Sequence, residues 1–311
     1  MQMGAAMELD DDTFLQDLVA EGLLIPSGTA GVYGTNSVFE SVRLAIDGAA
    51  ASLAGPNEPE RLRFPPVLPR RHLETSGYLR SFPHLLGSVF AFDGSERDAA
   101  EQEARAAQHE DWSEFQQMTE LVLLPAACYP VYPAIAERGS LPPGGVTVET
   151  GGACVFRSEP SEDPARLQSF HMHEHVRIGE PEAVTAWRED WCDRALAFLT
   201  ALRLDVRLQP ASDPFFGRAG RMLASSQLQQ ELKLEIVTVI SAEQPTAIAS
   251  LNYHQDHFAA RFGLVTSEGE TAHTACVGFG EERVVLALLR THGLDPARWP
   301  TEVRGRLWGE P

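Results

Sequence analysis

The stretch ACVFRSEPSEDPARLQSFHMHE, residues 153–174, decides the prediction of the fold. Arg157 and Arg166 offer guanidinium groups to negatively charged oxygens, and Phe170 offers a ring that can stack on a base. Arg283, in a later GFGEER segment, adds a positive charge where a helix is expected to begin. A guanidinium keeps its charge and donates two parallel hydrogen bonds, so it suits phosphate oxygens. These residues together indicate a site for ATP.

The order and spacing of these segments resemble a known family. FRSE followed by RxxxF resembles motif 2 of the class II aminoacyl-tRNA synthetases, and GFGEER followed by VVLALL resembles their motif 3. LLPAACYPVYP, SFHMHE and TACVGFGEER are similar to the amino acid:[carrier protein] ligases, which are truncated homologues of seryl-tRNA synthetases. The resemblance runs from about residue 35 to about residue 292. It implies an α+β fold, a class II synthetase-like catalytic domain whose mainly antiparallel sheet is flanked by helices.

The resemblance also implies a role for each residue of the ATP site. Arg157 would hold the α-phosphate and the amino acid carboxylate, and Glu159 would contact the adenine amino group. Phe170 would stack on adenine, Arg166 would lie on the γ-phosphate side, and Arg283 would hold the terminal phosphates. Arg157 and Arg283 would be catalytic because they neutralise charge as the carboxylate attacks the α-phosphorus. An arginine near a glutamate is in general an ordinary surface ion pair, and the three motifs in order favour the nucleotide site.

Two positions between the motifs resemble residues that face ATP and substrate in the seryl enzymes. They are Glu235 in LKLEI and Asn252 in SLNY. Magnesium is expected to bridge the phosphates, but the ExxS metal pair of the seryl enzymes is not matched, which leaves Glu243 as a weakly indicated ligand. Lys233 is the sole lysine of the chain. We interpret it as the product of an arginine-favouring genome and assign it no role.

A zinc site is implied by the same resemblance, because the segments that carry Cys128, Glu174 and Cys276 converge in that fold. Two thiolates and one carboxylate make a three-ligand zinc site with one open position. In the family that position takes the substrate's α-amino group, which also makes Glu174 substrate-binding. The alternative is that buried cysteines act as small hydrophobic residues. We expect that of Cys154 and Cys192, which are predicted to lie in the core.

Strand alternation separates the histidines of HMHEH from this site. Side chains alternate between the two faces of a strand, so Arg157 and Glu159 are expected to share one face of their strand. On the next strand, Glu174 is predicted to share a face with Phe170 and Met172. The rings of the histidines are predicted to turn away from Glu174, and we do not assign them as ligands: His171, His173 and His175.

Hydrophobic periodicity predicts elements without a regular βαβ alternation, which is typical of an α+β domain. A single catalytic domain over residues 1–311, without a tRNA-binding arm, is expected. Helices are predicted at 36–53, 95–112 and 183–202, the first capped by Asn36 or Ser37. Strands are predicted at 121–128, 146–150, 153–159, 232–240 and 248–253, with a tight turn at 141–145. The acidic helix at 95–112 is expected to be solvated and carries no assigned chemistry.

Charge and length restrict the partners. The 311 residues include 25 Lys and Arg against 44 Asp and Glu, a formal net charge of −19. Nucleic-acid affinity depends on basic surface, so binding of tRNA is not expected. The chain shows neither a membrane-spanning stretch nor a signal peptide, and a cytoplasmic protein is expected. RLRFPPVLPR at 61–70 resembles the motif 1 strand, which implies a homodimer.

The resemblance implies a phosphopantetheinylated carrier protein as the acceptor. The expected function is ATP-dependent activation of glycine or alanine as an aminoacyl adenylate and transfer to the phosphopantetheine thiol. The segment ASDPFFGRAGRM at 211–222 could grip an acidic carrier or the pantetheine arm, or its two phenylalanines could be core. Two alternatives remain at this point. The chain could be a ligase that aminoacylates another protein or a small molecule, or a non-catalytic synthetase paralogue with a regulatory role.

Overall fold

The structure is a computed structural model that describes residues 14–55, 59–241 and 245–309. Glu243, the weakly indicated magnesium ligand, lies outside these ranges. The described residues form eleven α-helices: α1 (Phe14–Ala20), α2 (Ser37–Ser52), α3 (Arg70–Ser76), α4 (Tyr78–Ser81), α5 (Glu96–Ala107), α6 (Val131–Ala136), α7 (Pro181–Ala201), α8 (Gly217–Gln229), α9 (His257–Phe262), α10 (Glu281–His292) and α11 (Thr301–Trp308).

The same residues form twelve strands: β1 (Leu24–Pro26), β2 (Tyr33–Thr35), β3 (Glu60–Arg61), β4 (Val67–Pro69), β5 (Ser88–Phe92), β6 (Gln116–Leu123), β7 (Val146–Phe156), β8 (Ser169–Gly179), β9 (Arg207–Pro210), β10 (Lys233–Thr238), β11 (Thr246–Gln255) and β12 (His273–Gly280). Seven of them form the main sheet in the order β3-β7-β8-β12-β11-β10-β9. All its neighbouring pairs are antiparallel except β3 and β7. The prediction of a mainly antiparallel α+β fold is confirmed.

Alternation along β12 shows what covers each face of the main sheet. Val277 and Phe279 are fully buried in the larger core cluster, which contains residues of α2, α7, α10 and α11. Cys276 belongs to a second cluster with residues of α6 and α9. Since adjacent residues of a strand point to opposite faces, the long helices cover one face. The other face is left to shorter elements and to the cavity described below.

Helix α2 begins where the sequence predicts. The Asn36 side chain accepts hydrogen bonds from the backbone N–H groups of Val38 and Phe39 at 3.0 and 2.9 Å, which satisfies two free donors of the first turn. Phe39 and Ile46 are fully buried. Val38, although also apolar, is 40% exposed. It is the residue next to Phe39, and one step around a helix is about 100°, which turns Val38 towards solvent.

Other elements differ from the predictions in ways that matter for the site. Strand β6 ends at Leu123, not at Cys128, because Pro125 has no N–H to continue a ladder. It also belongs to a separate sheet of three strands, in the order β4-β6-β5. The predicted strands at 146–150 and 153–159 are one strand, β7, with an irregularity between Thr150 and Ala153.

Strand β7 ends at Phe156, so the FRSE segment leaves the sheet after its first residue. Beyond it, the backbone N–H of Arg157 donates to the carbonyl of Gln168 at 2.8 Å and closes a loop between them. The expectation that Arg157 and Glu159 share a strand face is therefore wrong.

Two further predictions concern the surface. Helix α5 has no buried residue, which confirms the solvated acidic helix. Its N-terminus is closed by a capping box between Ser95 and Asp98. None of the helices among the described residues combines the length and apolar character that crossing a bilayer requires.

Candidate active site

A cavity of about 460 Å³ lies on the face of the main sheet opposite the long helices. Its walls come from β8, β10, β11 and β12, from the turn before α6, and from α8 and α9. Several residues singled out in the sequence line it: Cys128, Arg157, Glu174, Asn252 and Cys276. Residues that are far apart in the chain thus share one cavity.

Cys128, Glu174 and Cys276 come together at one side of this cavity. Their ligand atoms all lie within 4.8 Å of one another, and all three residues are buried. Glu174 extends from β8 and Cys276 from the adjacent strand β12, while Cys128 reaches them from the turn after β6. Gly278 lies opposite Glu174 in the ladder, and a Cβ atom there would stand 3.1 Å from the Cγ of Glu174. The glycine therefore leaves the space that the glutamate side chain occupies.

The donor set of this cluster suits zinc. The Oε2 atom of Glu174 is buried and has no hydrogen-bond partner among the described residues, although a buried carboxylate oxygen is costly to leave unpaired. Burial, and next the charge of Cys276, raise the pKa of Glu174 to about 8. Thiolate and carboxylate ligands in this number match a catalytic zinc site. The role of the three residues as ligands remains a prediction.

The pKa values of the two thiols, Cys128 and Cys276, are shifted in opposite directions. A hydrogen bond with Cys276, followed by burial and the charge of Glu174, raises the pKa of Cys128. The same hydrogen bond lowers the pKa of Cys276, although burial opposes it. The amide of Asn252 and the ring nitrogen Nε2 of His254 lie 3.6 and 3.7 Å from the Cys276 sulfur. Cys276 is thus the thiol of the pair that is stabilised as a thiolate.

Three arginines form a second cluster beside the cavity. Arg283 donates from Nε to the carbonyl of Ala165 at 2.7 Å and from a terminal nitrogen to that of Ala247 at 3.0 Å. Burial, and then repulsion by Arg157 and Arg166, lower the pKa of Arg283 to about 10. Guanidinium groups that lie close enough to repel one another favour the binding of a polyanion among them.

The remaining residues of the predicted nucleotide site differ in their burial and in their contacts. The guanidinium carbon of Arg157 lies 5.7 Å from the centre of the Phe170 ring, and Phe170 itself is only 9% exposed. Glu159 and Arg166 are exposed and form a 3.3 Å ion pair with each other. Glu235 lies close enough to Arg283 for its charge to oppose the lowering of the Arg283 pKa. The structure brings these side chains into one region, and their individual roles remain predictions.

The histidines lie on the other face of β8, as predicted. His173 contacts a carboxylate oxygen of Asp47 at 2.7 Å, and His175 contacts the carbonyl of Ala50 at 3.1 Å, both in α2. His171 contacts Glu282 at 2.6 Å. Each ring is therefore directed away from Glu174.

Cys154 does not lie in the core, so the prediction for it is wrong, whereas Cys192 is partly buried and packs against the larger core cluster. Both are only partly buried. On β7, Val155 is buried, and the alternation of the strand turns Cys154 to the opposite face. On α7, Cys192 follows the buried Trp191 and is rotated about 100° from it.

Comparison with known proteins identifies the family. No protein-family model matches the chain. Two proteins of Bradyrhizobium diazoefficiens, amino acid–[acyl-carrier-protein] ligases 1 and 2, are each 46% identical to it. The matches cover 95% and 94% of this chain and 90% and 87% of theirs. The chain belongs to the amino acid–[acyl-carrier-protein] ligase family. It is accordingly an enzyme of the ligase class.

The fold of this family member is that of the class II aminoacyl-tRNA synthetases. The M. kandleri seryl-tRNA synthetase, solved in complex with A. aeolicus tRNASec, superposes with a TM-score of 0.80 at 20% identity. The superposition covers all of this chain and 63% of that one. At this identity the likeness supports the fold alone, and it confirms the class II prediction.

Sequence reasoning missed three polar residues of this ligase-family cavity. Lys233, attributed above to an arginine-favouring genome, is buried in the cavity wall beside Asp213. His254 lies against Cys276. The one signal in the sequence was that Lys233 is the sole lysine. The segment at 211–222 was also incompletely predicted, since it continues into helix α8.

Proposed function

We propose that the enzyme activates glycine or alanine with ATP as an aminoacyl adenylate and transfers it to the phosphopantetheine thiol of a carrier protein. One observation carries the proposal. The Cys128, Glu174 and Cys276 cluster and the guanidinium group of Arg157 line the same cavity. A site for an amine would therefore lie beside a site for phosphate and carboxylate, which is the arrangement that amino acid activation requires.

The arginines support the first half-reaction. A carboxylate oxygen of the amino acid attacks the α-phosphorus of ATP, and pyrophosphate leaves. Arg157 would neutralise the charge that develops at the α-phosphate, while Arg283 and Arg166 would hold the phosphates that leave. Arg283 is held by two backbone carbonyls, so its position is set before ATP arrives. ATP would enter with magnesium, which would neutralise part of the phosphate charge.

The buried cluster supports selection of an amino acid over other carboxylic acids. Cys128, Glu174 and Cys276 would hold zinc, and Asn252 would orient the Cys276 sulfur. A bound zinc ion would supply a Lewis acid whose open position takes an α-amino group. A carboxylic acid without a free amine could not use that position.

The cavity wall around the cluster favours a small side chain. Tyr129, Met172 and Phe258 line the cavity next to the cluster. The Phe258 ring stacks on the Tyr132 ring with centroids 4.1 Å apart, and the Tyr129 ring meets its edge. Packed aromatic rings yield little space for a long substrate side chain. Glycine and alanine are therefore the proposed substrates.

Helix α8 supports a carrier protein as the acceptor. Leu223, Ser226 and Gln227 line the cavity while most of the helix is exposed, so the helix lies where the cavity meets the surface. Its outer side exposes Arg218 and Arg221, which could contact an acidic partner. In the preceding turn Phe216 is 57% exposed and Phe215 is half-buried, stacked on the Phe82 ring. The formal charge of −19 opposes tRNA as the acceptor.

We also propose that the enzyme is a homodimer of the cytoplasm, where ATP is available. The three-stranded sheet supports the dimer because it exposes large apolar side chains. Phe90 and Met118 are register partners, 55% and 38% exposed, and Phe92 is 41% exposed. Apolar side chains clustered in this way mark association surfaces. Light scattering coupled to size-exclusion chromatography should give twice the chain mass, and Phe90→Ser should lower it.

Amino acid-dependent pyrophosphate exchange, with magnesium and zinc present, tests the first half-reaction. Glycine or alanine should stimulate exchange, and Arg157→Met should lower kcat/KM at least 100-fold, about 3 kcal/mol. Arg203→Met is the control, because Arg203 makes an exposed ion pair with Glu302. The absence of exchange with every amino acid would refute the proposed activation as an aminoacyl adenylate.

Intact-mass analysis of a phosphopantetheinylated carrier tests the second half-reaction. The carrier should gain the mass of one aminoacyl group. If exchange occurs without carrier loading and the aminoacyl group is found on another protein or on a small molecule, that molecule would replace the carrier as the proposed acceptor.

A further inference from the structure

The sole lysine of the chain is buried between two carboxylates in the cavity wall. Lys233 opens strand β10 and is 9% exposed. Its Nζ atom lies 2.8 Å from Asp213 and 2.9 Å from Glu235. Burial acts to lower the pKa of Lys233, but the two carboxylates outweigh it and the pKa is raised. The side chain is thus held as an ammonium and is not available as a nucleophile.

One carboxylate connects the lysine to helix α8. The second oxygen of Asp213 accepts a hydrogen bond from the Gln227 side chain at 2.8 Å. The backbone N–H of Asp213 in turn donates to the Gln227 side-chain oxygen at 2.7 Å. Asp213 precedes α8 and Gln227 lies near its end, so the reciprocal pair closes residues 211–229 into one unit. We call residues 211–229 the α8 segment.

The other carboxylate connects the lysine to the nucleotide side. Glu235 lies two residues along β10, on the same face as Lys233. Glu235 is near enough to Arg283 to stabilise its charge. Lys233 therefore joins the α8 segment, at the opening of the cavity, to the strand that faces the arginines.

Removing the ammonium would leave two partly buried carboxylates of like charge, Asp213 and Glu235, without the cation that lies between them. A buried charge that loses its partner is strongly destabilised, so the two groups would move apart or take up water. The reciprocal bonds to Gln227 would carry that movement into the α8 segment. The wall of the cavity that an acceptor must pass would then lose its position.

We propose that Lys233 is a positioning residue for aminoacyl transfer, one that holds the α8 segment against β10 where the acceptor thiol enters. The inference rests on the proposed function and deepens it. In that transfer the thiol sulfur attacks the adenylate carbonyl carbon and loses its proton to solvent, the bond from that carbon to the phosphate oxygen breaks, and AMP leaves with the bonding electrons. Lys233 touches none of the reacting atoms and acts through Asp213.

The first test compares the two half-reactions in Lys233→Met, Lys233→Arg and Gln227→Leu. Transfer of the aminoacyl group from preformed adenylate to the carrier should fall at least 30-fold in Lys233→Met, mainly as a higher KM for the carrier. The fold-loss in pyrophosphate exchange should be at least ten times smaller than the fold-loss in transfer. Lys233→Arg should recover part of the loss because it keeps the charge. Equal losses in both half-reactions would overturn the proposal.

The second test measures backbone hydrogen exchange and needs no activity. Exchange in residues 211–229 should accelerate at least tenfold in Lys233→Met and in Gln227→Leu. The matched control is Arg105→Met, because Arg105 also joins two carboxylates, those of Glu101 and Glu114, but on the exposed helix α5. Unchanged protection of the α8 segment in both variants would overturn the proposal.

The two tests separate the failure of this inference from failure of the proposed function. A wild-type enzyme that forms no adenylate would refute the proposed function, while the hydrogen exchange still decides whether Lys233 holds the segment. If Lys233→Met does not fold, Gln227→Leu decides both tests. This substitution removes the hydrogen bonds between Gln227 and Asp213 and leaves the buried ammonium of Lys233 paired with its carboxylates.

Discussion

Zinc binding at the cluster should release about two protons per ion at pH 7, because the ligands must be deprotonated before they coordinate. The magnitude follows from the ionisation of each ligand in the metal-free protein. Cys128 has a raised pKa and is a neutral thiol, so it releases about one proton. Glu174, with a pKa of about 8, is about 90% protonated at pH 7 and releases about 0.9. The pKa of Cys276 is lowered well below its ordinary value, so this thiol releases the smallest share.

The assay is calorimetric titration of the chelator-treated enzyme with zinc, in two buffers that differ in ionisation enthalpy. The number of protons released per zinc ion should fall towards about one at pH 9, where Glu174 is already ionised. Glu174→Gln should release about one proton at pH 7 and bind zinc more weakly. Cys154→Ser is the matched control, because that thiol lies outside the cluster and should not change binding. Proton release that is the same in Glu174→Gln and in the wild type would refute the reasoning.

Three predictions concern stability, measured by urea unfolding. Burial lowers the pKa of His175 to about 3 from an ordinary value of 6.5, so the unfolded chain binds the extra proton and stability falls as pH drops below about 6.5. His175→Phe removes this pH dependence, so the difference in the free energy of unfolding between the wild type and the variant should shrink by about 2 kcal/mol from pH 7 to pH 5. A difference that stays constant with pH would contradict this. Gly144 and Gly145 both have positive φ angles, 82° and 72°, but only at Gly145 would a Cβ atom meet the carbonyl oxygen of Ile178, at 2.3 Å. Gly145→Ala should therefore cost at least about 2 kcal/mol more than Gly144→Ala, and equal costs would show that the conformation alone matters. Asn36→Ala should cost about 1 kcal/mol through the lost cap of α2, and no change would mean that water replaces it.

Local features could be predicted because they depend on neighbouring residues. Asn36 caps α2 through hydrogen bonds that span three residues, and the helical spacing of Val184 and Trp191 in α7 predicts the face that is buried. The face of β8 that carries Glu174 follows from strand alternation in the same way. Such patterns need no knowledge of the rest of the chain.

Features that depend on distant partners could not be predicted from the pattern. Glu281 and Glu282 of the GFGEER segment are buried, although nothing in the local pattern distinguishes them from the exposed acidic residues of other helix starts. Burial and the neighbouring Asp47 raise the pKa of Glu281 to about 7, while the Arg43 guanidinium opposes that rise. Arg43 lies in α2, far away in the sequence, and nothing local indicates that the two helices meet.

The sequence by itself determined the residue types of the site, their order in the chain, and the helices and strands that carry most of them. Only the tertiary structure decided that Cys128 reaches Glu174 from a turn rather than from a strand. Tertiary structure likewise placed Lys233 between Asp213 and Glu235. The physical reason is that a buried charge is tolerated only where packing supplies its partner, and packing brings together segments that no local pattern connects.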